Sequence, residues 1–299
     1  MGGNTLGVHA SVFVAGWNDA EVDRALQATK RAGFHFIEIP LLNPGNVDAV
    51  STRKKLEEYG LSVTCSLGLG FASDISSPDQ EIVKRGESLL MEALDVASAL
   101  DSSYLGGVLY SAMGKYVGPA WPGAEAQVAD VLRRLAARAG ERGITIGLEP
   151  VNRYESNLVN SARQALALIR LTEATNIVVH LDVYHMNIEE GDLEQPVLEC
   201  GQRLGYVHVG ESHRGYLGTG TIDFPQFFRA LARAGYEGPI AFESFSSAVV
   251  SRDFSSALAI WRDLWDDGED LARAAREFID QQLHAAGRAV NLSISDSDS

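Results

Sequence analysis

Cysteine is nearly missing from this 299-residue chain, which has only Cys65 and Cys200. Two thiols so far apart give neither a metal-knuckle spacing nor a disulfide framework. The chain therefore reads as one for a reducing, cytoplasmic compartment. Basic residues are also scarce: 25 Lys and Arg stand against 40 Asp and Glu, a net charge of −15. That balance argues against nucleic acid as a partner, because binders of the phosphate backbone carry a basic patch or excess. No apolar run approaches the roughly 20 residues of a membrane span. The opening MGGNTLGVHASVFVAGW lacks the basic start and long apolar core of a secretory signal. Leu6 stands where myristoylation needs Ser or Thr. No short repeat and no Pro/Ser-rich linker divides the chain, so one domain is expected.

Hydrophobic residues make up 45% of the chain, and they come in strand-length blocks. Eight such blocks are GVHASVF (7–13), FHFIEI (34–39), SVTCSL (62–67), SYLGGVL (103–109), ITIGLE (144–149), IVVHLD (177–182), GYVHV (205–209) and PIAFE (239–243). Amphipathic segments such as DAEVDRALQATKRAG and AEAQVADVLRRLAARAGERG separate them and close on Gly or polar residues. Strand–helix alternation repeated eight times predicts an α/β chain, a closed (β/α)8 TIM barrel over residues 1–290. Residues 254–286 predict continuous helix with a break near Gly268, longer than a final barrel helix needs. The excess would cap the barrel bottom or form an interface. The closing NLSISDSDS (291–299) is polar and expected to be disordered.

Four blocks in the second half end on, or carry, a residue able to hold a divalent metal: Glu149, Asp182, His208 and Glu243. The gaps between them are 33, 26 and 35 residues, each about one strand–helix repeat. Strand parity tests whether they converge, since alternate residues face opposite sides. Glu149 shares a face with Gly147 and Thr145, and His208 with Tyr206. Asp182 shares one with His180, and Glu243 with Ala241. In each strand the large apolar neighbours fall on the opposite face, against the helices. The four donors should meet at the barrel's C-terminal rim, where such barrels build active sites. Three oxygens and one imidazole suit Mn²⁺, Co²⁺ or Mg²⁺ better than a structural zinc, with zinc still open.

Loop residues just past these strands are candidates by position: Arg153 and Glu155, His185, and Glu211, His213 and Arg214. The stretch LGTGTID lacks the Lys-Ser/Thr ending of a phosphate loop, and its glycines more simply allow a tight turn. His180, one layer below Asp182, reads as a hydrogen-bonded core histidine, and His35 as packing. His9, on the first strand, and Trp121, after the fourth, are candidate pocket residues.

At these positions the chain resembles the ketose 3-epimerases (D-tagatose, D-allulose and L-ribulose 3-epimerases) of the xylose-isomerase-like barrel superfamily. GFHFIEIPLL, LEPVNRYESN, LDVYHMNIEE, HVGESHRGYLGTGTIDF and GPIAFESFS carry the resemblance. LDVYHMNIEE and HVGESHRGYLGTGTIDF are its specific parts. The resemblance implies one divalent metal per subunit, Mn²⁺ or Co²⁺, held by Glu149, Asp182, His208 and Glu243. It implies that Glu155, His185 and Arg214 bind the O1–O3 end of a ketose. It also implies a homodimer or homotetramer. The residue chemistry is compatible: epimerisation beside a carbonyl removes a proton from one face and returns one to the other. Glu149 and Glu243, three strands apart, could flank that carbon as base and acid.

Rival readings are a proton-transfer aldose–ketose isomerase such as hydroxypyruvate isomerase, an inosose dehydratase, an endonuclease IV-like DNA repair barrel, and a sugar-binding barrel without turnover. Hydride-shift isomerases fit less well, because Pro150 and Val151 follow Glu149 where those enzymes carry Glu-x-Lys. A trinuclear zinc endonuclease would need more histidines near strand ends, and the charge opposes DNA.

Overall fold

The computed structural model describes residues 3–297. Its strands are β1 (Leu6–His9), β2 (Phe36–Pro40), β3 (Ser62–Ser66), β4 (Tyr104–Gly106), β5 (Thr145–Leu148), β6 (Ile177–Asp182), β7 (Leu204–Val209) and β8 (Ile240–Phe242). They close in chain order into one barrel, every neighbouring pair parallel. The helices are α1 (Asp19–Arg31), α2 (Ala49–Tyr59), α3 (Gln80–Ala99), α4 (Ala124–Gly140), α5 (Ala162–Thr172), α6 (Val183–Glu189), α7 (Gln195–Cys200), α8 (Phe224–Arg233), α9 (Arg252–Ala257) and α10 (Gly268–Ser297).

Local signals set these boundaries. Asn18 and Glu21 form a reciprocal capping box at the start of α1, and Ser161 and Gln164 form one at α5. Gly60, at φ +63°, ends α2 in the left-handed conformation that glycine adopts without steric cost. The expected fourth strand, 103–109, stops at Gly106, because Gly107 turns the chain at φ +109°. Helix α4 buries Val128, Leu132, Leu135 and Ala139, one stripe at helical spacing, towards the barrel.

Side-chain parity divides the barrel as expected. Val8, Ile37, Ile39, Ile146, Leu148, Leu181, Val207 and Phe242 join the core between strands and helices. Phe36, Tyr104, Tyr206 and Ala241 form a separate cluster, the filling of the barrel itself. Tyr104 and Tyr206 stack there at 4.3 Å between ring centroids. Gly147 makes room for them: a Cβ at that position would lie 1.8 Å from the Tyr104 hydroxyl oxygen.

The C-terminal segment departs from the expected continuous helix. Residues 258–267 are not helical, because they cross the barrel mouth and are pinned by Trp265. The break at Gly268 is where α10 begins. This helix lies along α8 and α1 and buries Leu271, Ala275 and Ile279, so it serves as the eighth barrel helix. It runs to Ser297, into the segment expected as a polar tail, whose residues 298 and 299 lie outside the described residues.

Candidate active site

Asp182 and His208 are paired neighbours across β6 and β7, while Glu149 and Glu243 are the first residues past β5 and β8. All four are buried at the C-terminal end of the barrel. Nδ1 of His208 lies 3.3 Å from Oε1 of Glu149 and 3.5 Å from Oε1 of Glu243. Asp182, His208 and Glu243 offer donor atoms within 4.8 Å of one another, and Glu149 lies equally close to Asp182 and His185. Asp182 also caps α6: its Oδ1 accepts the Tyr184 backbone N–H at 2.8 Å, which leaves Oδ2 to the site. This buried set of carboxylates and imidazoles could hold a metal ion.

Arg214 brings a positive charge against the carboxylates of the cluster. Its Nη1 lies 2.8 Å from Glu243 Oε2 and 3.3 Å from Asp182 Oδ2, and its guanidinium covers the Tyr184 ring at 3.8 Å. A cation bridging these two carboxylates is a direct sign that the pocket accepts positive charge. Arg214 adopts φ +61°, an unfavourable conformation for an arginine. Its carbonyl is clamped by Ser244 Oγ at 2.5 Å and by the Trp265 ring N–H at 3.1 Å.

Burial dominates the titration of the cluster. It pushes Glu149 up to about 8, with Glu243 and Asp182 adding repulsion against the opposing effect of His208. Burial also raises Asp182, against the pull of Arg214. His208 goes the other way: desolvation would lower it, but Glu38, Glu243 and Glu149 together hold it well above the usual histidine value. His185 is lowered by burial and by Arg214, and so is neutral near pH 7. The backbone N–H and the side-chain amide of Asn152 lie 3.2 and 2.9 Å from His185 Nδ1. Nδ1 is therefore the acceptor, and the proton sits on Nε2. That N–H faces Asp182 Oδ2 at 3.5 Å, with Glu149 Oε1 and Glu155 Oε2 at 4.0 Å.

The remaining expected residues sort by position. Glu155 approaches the cluster from the loop after β5, its Oε1 accepting from Asn152 at 2.8 Å. His9 is buried and lines the cavity above the cluster, packed edge-on against Phe245. Trp121 lies outside that cavity's lining, its ring N–H donating to the Ser76 carbonyl at 2.7 Å. Arg153 pairs with Glu189 at the surface, and Glu211 turns inward to accept the Ser212 and Gly218 backbone N–H groups. His213 borders a neighbouring cavity beside Arg214. His180 is not hydrogen-bonded: its ring lies edge-on to Tyr206 and His208, and neither nitrogen has a partner among the described residues. His35 is exposed at the opposite mouth, where its Nδ1 accepts the Leu6 N–H. Pro40, Leu42, Met113, Phe254 and Leu258 complete the apolar wall and roof.

Two residues escaped the sequence reading. Asn152 gives no signal of its own within the polar run VNRYESN. Glu38 does: it is a carboxylate inside the apolar strand FIEIP, with inward parity. It is fully buried, with Oε2 at 2.8 Å from both His208 Nε2 and the Tyr206 hydroxyl.

A family model for xylose isomerase-like TIM barrels matches residues 26–282. The ketose 3-epimerase of Arthrobacter globiformis is 47% identical over 94% of this chain and 97% of its own length. The L-ribulose 3-epimerase of Methylomonas sp. (strain DH-1) is 49% identical over 92% of this chain and 96% of its own. The chain belongs to the ketose 3-epimerase family. Among solved structures, the D-allulose 3-epimerase from Methylomonas sp. in complex with D-allulose superposes with a TM-score of 0.92. It is 48% identical and covers 94% of this chain and 98% of its own. This ketose 3-epimerase family member thus matches these relatives over at least 92% of its length.

Proposed function

We propose that this chain is a divalent-metal-dependent ketose 3-epimerase acting on free ketoses such as D-allulose and D-fructose, D-tagatose and D-sorbose, or L-ribulose and L-xylulose. The observation that carries the reading is the convergence of Glu149 and Glu243 on one buried imidazole, His208, beside Asp182 and Arg214. The similarity to 3-epimerases over nearly the full chain supports it.

Glu149, Asp182, His208 and Glu243 would hold the ion, Mn²⁺ or Co²⁺ by preference and Mg²⁺ as an alternative, as three oxygens and one imidazole favour. When bound, it would supply positive charge beside the ketose carbonyl, lowering the cost of ionising the adjacent carbon. The remaining work falls to the side chains. One of Glu149 and Glu243 takes the proton from C3 on a carboxylate oxygen, and the other returns a proton to the opposite face. The Nε2–H of His185, the guanidinium of Arg214 and the carboxylate of Glu155 orient the O1–O3 end. Phe254 and Leu258, over the mouth, keep water from the carbanionic intermediate. We further propose a homodimer or homotetramer in the cytoplasm. Among the described residues no helix is long and apolar enough to cross a membrane.

The test is product analysis of D-fructose, D-allulose, D-tagatose, D-sorbose and L-ribulose by chromatography, with Mn²⁺ and after chelation, in deuterated water. C3 epimers that form only with metal and carry deuterium at C3 are expected. An aldose product would overturn the reading.

A further inference from the structure

The four expected donors leave Glu38 unexplained, although a buried ionised carboxylate is costly unless it is paired. We propose that Glu38 is the positioning residue that aims His208 Nδ1 at the metal site. This inference rests on the metal reading above.

Oε2 of Glu38 lies 2.8 Å from His208 Nε2 and 2.8 Å from the Tyr206 hydroxyl. The Tyr206 oxygen in turn lies 2.9 Å from Thr64 Oγ1. The donors along this chain have only one consistent direction. Tyr206 gives its single proton to Glu38, so Thr64 donates to Tyr206. Glu38 Oε2 then accepts from both sides, which requires the proton of His208 on Nε2. Nδ1 is left facing the Glu149 and Glu243 oxygens at 3.3 and 3.5 Å. A nitrogen lone pair pointed at two carboxylate oxygens is stable only with a cation or proton between them. Both nitrogens of the ring are thus assigned: Nε2–H to Glu38, and Nδ1 to the ion.

The fold makes this anchor rigid. Glu38 sits mid-strand in β2, across the barrel from His208, and Tyr206 lies one inward layer below that histidine on β7. Tyr206 stacks on Tyr104, which holds its ring, and so its hydroxyl oxygen, in place beside Glu38. On the other side, His9 Nε2 lies 3.9 Å from Glu38 Oε1, and the His9 Nδ1 accepts the Ser11 N–H. His9 therefore also turns its protonated nitrogen towards the same carboxylate. Carboxylate–histidine–metal relays of this kind fix the tautomer and raise the basicity of the ligand, and losing them costs about 10–100-fold in metal affinity.

The experiment is Mn²⁺ titration of chelator-stripped protein, free Mn²⁺ read by electron paramagnetic resonance, for wild type, E38Q and E38L. Thermal melting of each metal-free form is recorded alongside. E38Q keeps the shape and an accepting oxygen but loses the charge, and is expected to weaken binding about 10-fold. E38L also loses the acceptor, and about 100-fold is expected. Should E38L fail to fold, the isosteric E38Q decides alone. Wild-type affinity in E38Q, or in a folded E38L, would overturn the proposal. Wild-type protein that takes up no Mn²⁺ would sink the metal reading, and this inference with it.

Discussion

Replacing Arg214 with Met should expose how the metal-free site balances its charge. The guanidinium is buried against Asp182, which is 0% exposed, and against Glu243, whose side chain is 9% exposed. Met roughly keeps the volume and removes the charge. Asp182 must then stay ionised with only His208 as a nearby cation, or fold with a proton. Protonation sets the ceiling on the loss: holding an aspartate of ordinary pKa about 3.9 neutral at pH 7 costs about 4 kcal/mol. That lies within the roughly 3–5 kcal/mol expected for breaking a buried ion pair. For a chain of this size it is a melting-temperature drop of roughly 10 °C. The sign with pH follows from linkage. The variant would carry a proton when folded that its unfolded chain releases. Its deficit therefore grows by about 1.4 kcal/mol per pH unit above the ordinary carboxylate pKa, and shrinks as pH falls towards it. Saturating Mn²⁺ should reduce the deficit to under about 1 kcal/mol, because a bound ion neutralises the same carboxylates. Thermal and urea unfolding of both proteins, metal-free and Mn²⁺-loaded, at about pH 6 and about pH 8 measures all three effects. An equal deficit with and without Mn²⁺, or one that does not grow with pH, would refute the reasoning.

Other consequences are equally open to measurement. Gly147→Val forces a side chain against Tyr104, where even a Cβ would lie 1.8 Å from its hydroxyl oxygen. A loss of about 1–3 kcal/mol by urea unfolding is expected, partly relieved by Tyr104→Ala. Asp182→Asn keeps an oxygen for the Tyr184 N–H, so α6 should form normally by circular dichroism while bound metal falls towards zero by elemental analysis. Trp265→Phe removes the N–H that clamps the Arg214 carbonyl. If a hydrogen bond of about 1.4 kcal/mol is lost from the arginine's placement, kcat/KM should fall about tenfold with metal content unchanged. Loss of metal in that variant would assign the clamp to the ion site instead.

Strand period and spacing made the barrel legible in advance. Eight apolar blocks alternating with amphipathic segments leave few other ways to bury both faces of the strands. The period of two then decides which donors can face inward, so Glu149, Asp182, His208 and Glu243 could be placed together from sequence alone. Tertiary structure decided what lies across the barrel. Nothing local relates Glu38 to His208, since the two are 170 residues apart and meet only when the sheet closes. The same holds for Asn152 and His185, for the Trp265 clamp on Arg214, and for the turn of Trp121 towards Ser76. His180 marks the limit most plainly. Parity places it inward, but only the packing of Tyr206 and His208 around it leaves both ring nitrogens without a partner among the described residues. Periodicity is a property of the chain, and a hydrogen-bond partner is a property of the closed fold. The residues able to hold a metal were therefore visible in the sequence, whereas the groups that aim and balance them emerged only in three dimensions.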